Sequence, residues 1–300
     1  MSWHPAEQKR SEARARGASR GPARPTRPTP RVATARPGRA AFASASALAS
    51  VWLYLGPGLA QHPAVLTVYA FPAGFGQPSL SPFCTKLMVH LTLAGVAHQV
   101  KRGDVQKAPK GKLPYARIGD ELIGDSGHVL NRLGAQAELD GELSEQQRAV
   151  AHLVRRTLEE HFYWTLVHER WITDEGWAHQ QRVLAPMLPP VLRSFLPGVL
   201  RRGLRKTLRA HGVGRHGDAE IAEAGVRDLR AAEALASAEG PYFFGPSPSS
   251  TDVVVHAFVG GALANQHANP LTDAARALPR LQRVVSATEV EYRARGGKDA

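Results

Sequence analysis

The chain has almost no cysteine: among its 300 residues only Cys84 carries a thiol. An intramolecular disulfide is therefore excluded, and with it a disulfide-stapled fold and a redox cycle between two cysteines of one chain. A cysteine content this low is typical of reducing compartments, so we expect a cytoplasmic protein.

Motifs of several enzyme classes are missing as well. The sequence has no P-loop and no H-E-x-x-H zinc motif, and its thirteen histidines lack metal-ligand spacing, so no metal is expected. Gly212, Gly214 and Gly217 have the spacing of a dinucleotide-binding loop, but they follow a basic helical stretch. Because that loop must follow a strand, we exclude a dinucleotide site.

Acidic residues are scarce in the first fifty residues, which hold two of them against ten Lys and Arg. The other 250 residues hold 24 acidic and 28 basic residues, so most of the net charge of +12 belongs to the N-terminal segment. A folded part that is only mildly basic does not predict nucleic-acid binding.

Residues 1–63 are predicted to form a disordered basic extension, because they are rich in Arg, Pro and Ala. Three alternatives stay open: a targeting segment, a membrane anchor, or a start site assigned too far upstream. An apolar stretch at residues 40–60 follows the basic run, as in signals and anchors. However, Gly56-Pro57-Gly58 breaks this stretch, and its strongly apolar part is shorter than the ~20 residues that span a bilayer.

Short strand and helix patterns alternate over residues 64–135 and predict a small α/β domain. Strands are indicated by β-branched or alternating residues, and helices by apolar periodicity that a glycine ends. The predicted order is a strand at 65–69, a helix at 82–94, a strand at 98–101, a hairpin at 115–123 and a helix at 126–133.

Strand patterns fade beyond Gly141, and residues 143–292 are predicted to form an all-helical domain. Its main amphipathic patterns lie at 144–169, 219–237 and 278–292. Ser249 and Asp252 have the spacing of a capping box at the start of another helix.

The stretch from Leu192 to Leu208 is basic and rich in leucine, and it has two interpretations. A solvated helix face is favoured, because prolines interrupt the stretch. The alternative is a surface that lies on a membrane.

The first candidate site is Ser81-Pro82-Phe83-Cys84, which follows the first strand and opens the first helix. A helix N-terminus favours an anion such as a thiolate, to which Ser81 could donate a hydrogen bond. The alternative for Ser81 is a plain helix cap. Cys84 is expected to be a buried packing residue, and it becomes the nucleophile only if Ser81 is not the contact residue.

Two later segments complete the pattern of a thiol-binding site in a thioredoxin-type domain. Leu113-Pro114 precedes the hairpin, and in this context we expect a cis peptide there, which would turn backbone groups toward an extended peptide ligand. The alternative is a proline that begins a strand. Asp125-Ser126 opens the second helix and could hold the ammonium and carboxylate groups of an α-amino acid, or act as an ordinary cap.

In their order and spacing these segments resemble glutathione transferases, and most of all the metaxin-like and failed-axon-connections branch. Later stretches at 159–164, 211–216 and 241–252 resemble that branch too. The resemblance covers about residues 64–290. It implies a thioredoxin-like α/β N-terminal domain followed by an all-α C-terminal domain of the glutathione-transferase type.

The resemblance also implies roles for the candidate residues. Ser81 would face the thiol of glutathione, Leu113-Pro114 would pair with its cysteinyl backbone, and Asp125-Ser126 would hold its γ-glutamyl end. Ser81 stands where thiol-exchanging relatives have cysteine, which argues against deglutathionylation and leaves conjugation open.

Two functions follow from the resemblance. The first is a glutathione-dependent transferase that uses glutathione as co-substrate against a small electrophile; a homodimer is allowed. The alternative is a non-catalytic, metaxin-like interaction module with a vestigial site, membrane-proximal in view of its basic stretches.

Overall fold

The computed structural model describes residues 66–300, apart from the side chain of Leu192. The predictions for residues 1–63, and for Val65 at the start of the first strand, lie outside the described residues. Within the described chain an α/β part comes first and a helical part follows.

A four-stranded mixed sheet forms the α/β part. Its strands are β1 (Leu66–Ala70), β2 (His98–Arg102), β3 (Tyr115–Ile118) and β4 (Glu121–Gly124), in the order β2-β1-β3-β4. β1 and β2 are parallel and the other pairs are antiparallel. A parallel pair needs a crossover, which helix α1 (Pro82–Leu93) supplies, and α2 (Ser126–Leu133) follows the β3–β4 hairpin.

Helices make up most of the remaining described chain. They are α3 (Glu145–Arg156), α4 (Tyr163–Trp171), α5 (Asp174–Leu184), α6 (Pro190–Arg193), α7 (Leu196–His211), α8 (Asp218–Leu235), α9 (Ser250–Leu263), α10 (Pro270–Arg276) and α11 (Pro279–Ala294). Short 3₁₀ turns lie at Val105–Lys107, Gly134–Ala137, Ala185–Met187 and Val213–Arg215. The thioredoxin-like sheet and the helices after it confirm the predicted fold class.

Helix α1 is buried on almost all sides because it lies between the sheet and the helical part. Leu87 and Leu91 pack in the same core as Val68 of the sheet. Val89 packs instead with Val253 of α9. Two apolar faces on one helix explain why its sequence is apolar nearly throughout.

A wide helical turn with π spacing joins α3 to α4 at Thr157–Phe162. Val154, Leu158, Phe162 and Leu166 recur every four residues, and each is at most 3% exposed. An α-helix turns by about 100° per residue, so three steps of four residues would carry Leu166 about 120° around from Val154. The wide turn takes up part of this drift and keeps all four side chains in one core.

Helix α9 begins with the predicted capping box, built on Asp252. Its carboxylate accepts hydrogen bonds from the amide and the hydroxyl of Ser249 at 2.7 and 2.6 Å, and from the amide of Phe243 at 2.6 Å. Asp252 is fully buried. Burial raises its pKa, and these hydrogen bonds oppose that rise. One carboxylate therefore fixes the preceding loop to the start of the helix.

The stretch from Leu192 to Leu208 is interrupted, as expected, because Ser194-Phe195 separates α6 from α7. Pro197 itself does not break α7. Pro197 lies in the first turn of α7, where its missing amide costs no intrahelical hydrogen bond. The helix therefore runs unbroken from Leu196 to His211. Within residues 66–300, no helix combines the length and the apolar character that crossing a bilayer requires.

Replacing Asp252 by alanine is expected to lower the free energy of unfolding by about 3 kcal/mol or more, because buried amides lose their acceptor. Urea denaturation followed by circular dichroism measures this change. Glu142→Ala removes an exposed acid and is the matched control, with an expected change within about 0.5 kcal/mol. Equal losses for the two variants would mean that other contacts hold the loop.

Candidate functional site

A cavity of about 610 Å³ lies where the start of α1, the segment before β3, the start of α2 and the α3–α4 region meet. The predicted residues Ser81, Leu113-Pro114 and Asp125-Ser126 all line it. Cys84 is not among the lining residues. The fold thus brings three separate segments of the chain to one place.

Ser81 stands at the N-cap of α1, with extended backbone angles (φ −101°, ψ 124°) and Pro82 as the first helical residue. Its side chain makes no capping hydrogen bond. The capping alternative therefore does not account for this hydroxyl. The hydroxyl lies in the cavity wall beside the positive end of the α1 dipole.

Cys84 is fully buried and packs in the core of the sheet. Burial raises the pKa of its thiol to about 11, although the Phe71 backbone and the hydroxyls of Ser81 and Ser79 lower it. The thiol therefore stays protonated at neutral pH and is a poor nucleophile there.

The peptide bond between Leu113 and Pro114 is cis, as predicted. The carbonyl of Pro114 accepts a hydrogen bond from the amide of Asp125 at 3.1 Å, which joins this segment to the start of α2. Among residues 66–300, neither the amide nor the carbonyl of Leu113 has a backbone partner. Both groups are therefore available to an extended ligand.

Asp125 caps α2 and carries an ion pair as well. One carboxylate oxygen accepts from the amide of Gly127 at 2.9 Å, and the other lies 2.7 Å from the Lys112 ammonium. Burial would raise the pKa of Asp125, but Lys112 and the Gly127 amide hold it below its usual value. Its backbone is left-handed in φ (89°), which is rare outside glycine. A ligand ammonium must therefore compete with Lys112 for this carboxylate.

Ser126, the next residue, is only 2% exposed. Its side chain makes no hydrogen bond within the part of the chain that the structure describes, although it lines the cavity. A buried hydroxyl at a helix start is suited to receive a carboxylate.

An ion pair that the sequence did not predict lies in the cavity wall. The Lys86 ammonium of α1 is 2.6 Å from Glu159 in the wide turn, and the two side chains are 5% and 9% exposed. The pair joins the α/β part to the helical part. The available signal was Lys86 itself, since it is the only Lys, Arg, Asp or Glu in the otherwise apolar α1. A buried charge of this kind requires a partner.

Four Lys and Arg side chains line the cavity, and three of them are paired with carboxylates at 2.6–3.0 Å: Lys86 with Glu159, Lys112 with Asp125, and Arg156 with Glu160. Arg155 has no carboxylate partner within residues 66–300, and its buried Nε lacks any hydrogen bond there. Its remaining side-chain contact is with His152 at 3.3 Å. Arg155 is thus the cavity cation that is available to an anionic group of a ligand.

Aromatic side chains form another part of the lining. Phe83 meets Tyr163 edge-on, with ring centroids 5.0 Å apart, and Tyr163 meets Trp164 in the same manner at 5.1 Å. Sequence reasoning assigned no role to these rings. Such a wall can hold an apolar molecule within reach of Ser81.

Six curated relatives match this chain, among them the following three. Failed axon connections from Drosophila melanogaster is 30% identical over 223 residues, which are 70% of this chain and 53% of that protein. Isoprene-epoxide–glutathione S-transferase from Rhodococcus sp. (strain AD45) is 30% identical over 204 residues, 64% of this chain and 84% of that protein. Metaxin-3 from Xenopus laevis is 27% identical over 193 residues, 62% of each chain. The chain thus spans about half of Failed axon connections and less than two thirds of metaxin-3.

A family model described as the glutathione S-transferase N-terminal domain matches residues 82–176. Among solved structures, β-etherase LigF from Sphingobium sp. strain SYK-6 is similar, with 15% identity, a TM-score of 0.48, and coverage of 77% of this chain and 99% of that chain. The family model and the curated relatives confirm the predicted resemblance, both to glutathione transferases and to the metaxin-like branch.

Replacing Lys86 by methionine is expected to lower the free energy of unfolding by about 3–5 kcal/mol, because Glu159 would stay buried without a counter-ion. The double variant Lys86→Met/Glu159→Leu should recover most of that loss, since it buries no charge. Denaturant unfolding of the wild type, the two single variants and the double variant measures the coupling.

The exposed pair between Arg227 and Glu223 is the matched control for this cycle. Breaking it should cost at most about 1 kcal/mol, because water screens the two charges. If the Lys86 cycle shows no more coupling than this control, the buried pair does not hold the α/β part and the helical part together at the cavity.

Proposed function

Because the chain belongs to the glutathione S-transferase family, we propose that it binds glutathione and couples the glutathione thiolate to an electrophilic small molecule. The observation that carries this proposal is the meeting of Ser81, Leu113 and Ser126 in one cavity. They offer a hydroxyl at a helix N-terminus, backbone groups that have no backbone partner within residues 66–300, and a second, buried hydroxyl. A peptide with a thiol and a zwitterionic end needs groups of these kinds.

In this proposal the thiol of glutathione lies at Ser81, its cysteinyl backbone pairs with Leu113, and its γ-glutamyl end lies at Asp125-Ser126. The γ-glutamyl ammonium would replace Lys112 beside Asp125. The Lys112 side chain is 59% exposed, so releasing it into water costs little. Arg155 would pair with a carboxylate of the ligand, since it has no carboxylate partner within residues 66–300.

The proposed reaction is a nucleophilic attack by sulfur. The glutathione thiol loses its proton to solvent, and the Ser81 hydroxyl and the positive end of α1 stabilise the thiolate. The sulfur forms a bond with an electrophilic carbon, and the electron pair of the breaking bond moves to the leaving atom, which takes a proton from water. An epoxide, for which the Rhodococcus relative is named, fits this scheme. One C–O bond of its ring would break, and its oxygen would become an alcohol.

The electrophile would lie against Phe83, Tyr163 and Trp164, three of the aromatic residues that line the cavity. Such chemistry needs reduced glutathione, which agrees with the cytoplasmic location expected from the cysteine content.

A second candidate function is a non-catalytic interaction module that keeps the fold. The similarity to Failed axon connections and metaxin-3 favours it. Conjugation of a standard electrophile that is lost in Ser81→Ala would reject this candidate. Glutathione binding without any turnover would favour it.

Isothermal titration calorimetry with reduced glutathione tests the proposed site. We expect saturable binding that Ser126→Ala weakens about tenfold, because the γ-glutamyl carboxylate loses a hydrogen bond to a charged group. Ser247→Ala, at an exposed serine outside this cavity, is the matched control and should bind like the wild type. No heat of binding at high ligand concentration would reject both the site and the reaction.

Replacing Ser81 by alanine is expected to raise the pKa of the bound thiol and to reduce turnover at neutral pH by about 10²–10³-fold. Part of the activity should return as the pH rises, because more of the thiol is then ionised. A pH profile of kcat measures this. Cys84→Ala should reduce stability and leave the chemistry intact, since Cys84 is a core residue. The opposite ranking would place the reacting position one helical turn further along α1.

A further inference from the structure

Helix α7 presents one continuous face to solvent. Phe195, Val199, Arg202, Lys206 and Arg209 are spaced four, three, four and three residues apart, and all five are exposed. This spacing places their side chains on one side of a helix. We call these five residues the outer face.

The opposite side of α7 is fixed to the helical part. The Arg201 guanidinium donates hydrogen bonds to the carbonyls of Trp171 and Ile172 at 3.0 and 2.7 Å. Leu208 is 1% exposed and packs in the same core as Ile221. Because these contacts fix the other side of α7, the outer face stays turned toward solvent.

Large apolar side chains are concentrated at the start of this face. Val191, Phe195, Val199 and Leu200 are 77%, 53%, 51% and 40% exposed. These four are among the ten large apolar residues that are exposed in the described chain, and they lie within ten consecutive residues. Single exposed apolar residues are common, but a cluster of them indicates an interaction site.

Every Lys, Arg, Asp or Glu within α7 is basic. Between Glu175 and Asp218 the sequence has no acidic residue and eight Lys and Arg. Three of these, Arg202, Lys206 and Arg209, lie on the outer face. A partner for this face must therefore be anionic, and it must also accept apolar side chains.

We propose that the outer face of α7 binds an anionic lipid surface. Phe195 and Val199 enter the headgroup region, and Arg202, Lys206 and Arg209 contact lipid phosphates. The 15 residues from Phe195 to Arg209 span about 21 Å, so the helix lies on the surface and does not cross it. A nucleic acid would use the three cations but would leave the apolar cluster in water, and lipid is therefore the partner that fits both.

Vesicle flotation of the full chain tests this proposal. We expect flotation with phosphatidylcholine vesicles that contain about one third phosphatidylserine. We expect none with pure phosphatidylcholine, and a decline as salt is raised. Arg202→Glu/Lys206→Glu should reduce the bound fraction about tenfold or more, because each cation contributes near an anionic surface. Phe195→Ser/Val199→Ser should reduce it severalfold without changing any charge.

The matched control is Arg230→Glu/Arg276→Glu, which makes the same change in net charge at exposed positions of α8 and α10. It should bind within about twofold of the wild type, since these residues lie outside the outer face. Residues 1–65 are identical in all variants, so their contribution to binding cancels in each comparison. Equal binding by the control and the α7 charge variant would overturn the proposal, because net charge or the N-terminal segment would then account for binding.

A dye attached to the outer face gives a second measurement, which does not require the double variants to fold. The only native thiol, Cys84, is fully buried, so a polarity-sensitive maleimide would label Phe195→Cys selectively. Its emission should shift to the blue when the anionic vesicles are added. If the emission of the dye does not shift while the protein is bound to the vesicles, the proposal is overturned. So would wild-type binding by the serine variant together with displacement by a DNA duplex, which would identify a polyanion site.

Discussion

The buried ion pair between Lys86 and Glu159 holds the two walls of the cavity at a fixed separation. Lys86 lies on α1, the helix that begins at Ser81, and Glu159 lies in the wide turn that precedes Tyr163. Moving the walls apart would leave two desolvated charges without partners, which costs several kcal/mol. The ion pair thus helps to position the serine hydroxyl and the aromatic wall, together with the apolar packing of α1 against α9.

Much of the fold could be predicted because its signals are local. Gly134 and Gly212 end α2 and α7, and the Ser249–Asp252 box marks its own helix start within four residues. The candidate site residues were accessible for the same reason. Ser81, Pro114 and Ser126 lie where an element begins, and such positions have recognisable sequence patterns.

What could not be predicted depends on contacts between distant segments. Lys86 and Glu159 are 73 residues apart, and the sequence around each of them does not indicate which residue is its partner. The Lys112–Asp125 pair is closer in sequence, yet it forms only because the segment before β3 returns to the start of α2. Pro197 is a local example of the same difficulty. A proline inside a helix breaks it, whereas a proline in the first turn is tolerated, and the sequence did not indicate where this helix begins.

The wide turn at Thr157–Phe162 separates chain length from the shape of the cavity. A turn with π spacing holds about one residue more than an α-helical turn, so loss of one residue there would restore ordinary helical spacing and leave the direction of the following helix almost unchanged. Tyr163 and Trp164 would then stay opposite Ser81 and Ser126. A relative of this protein could therefore be one residue shorter at this turn and keep both walls of the cavity.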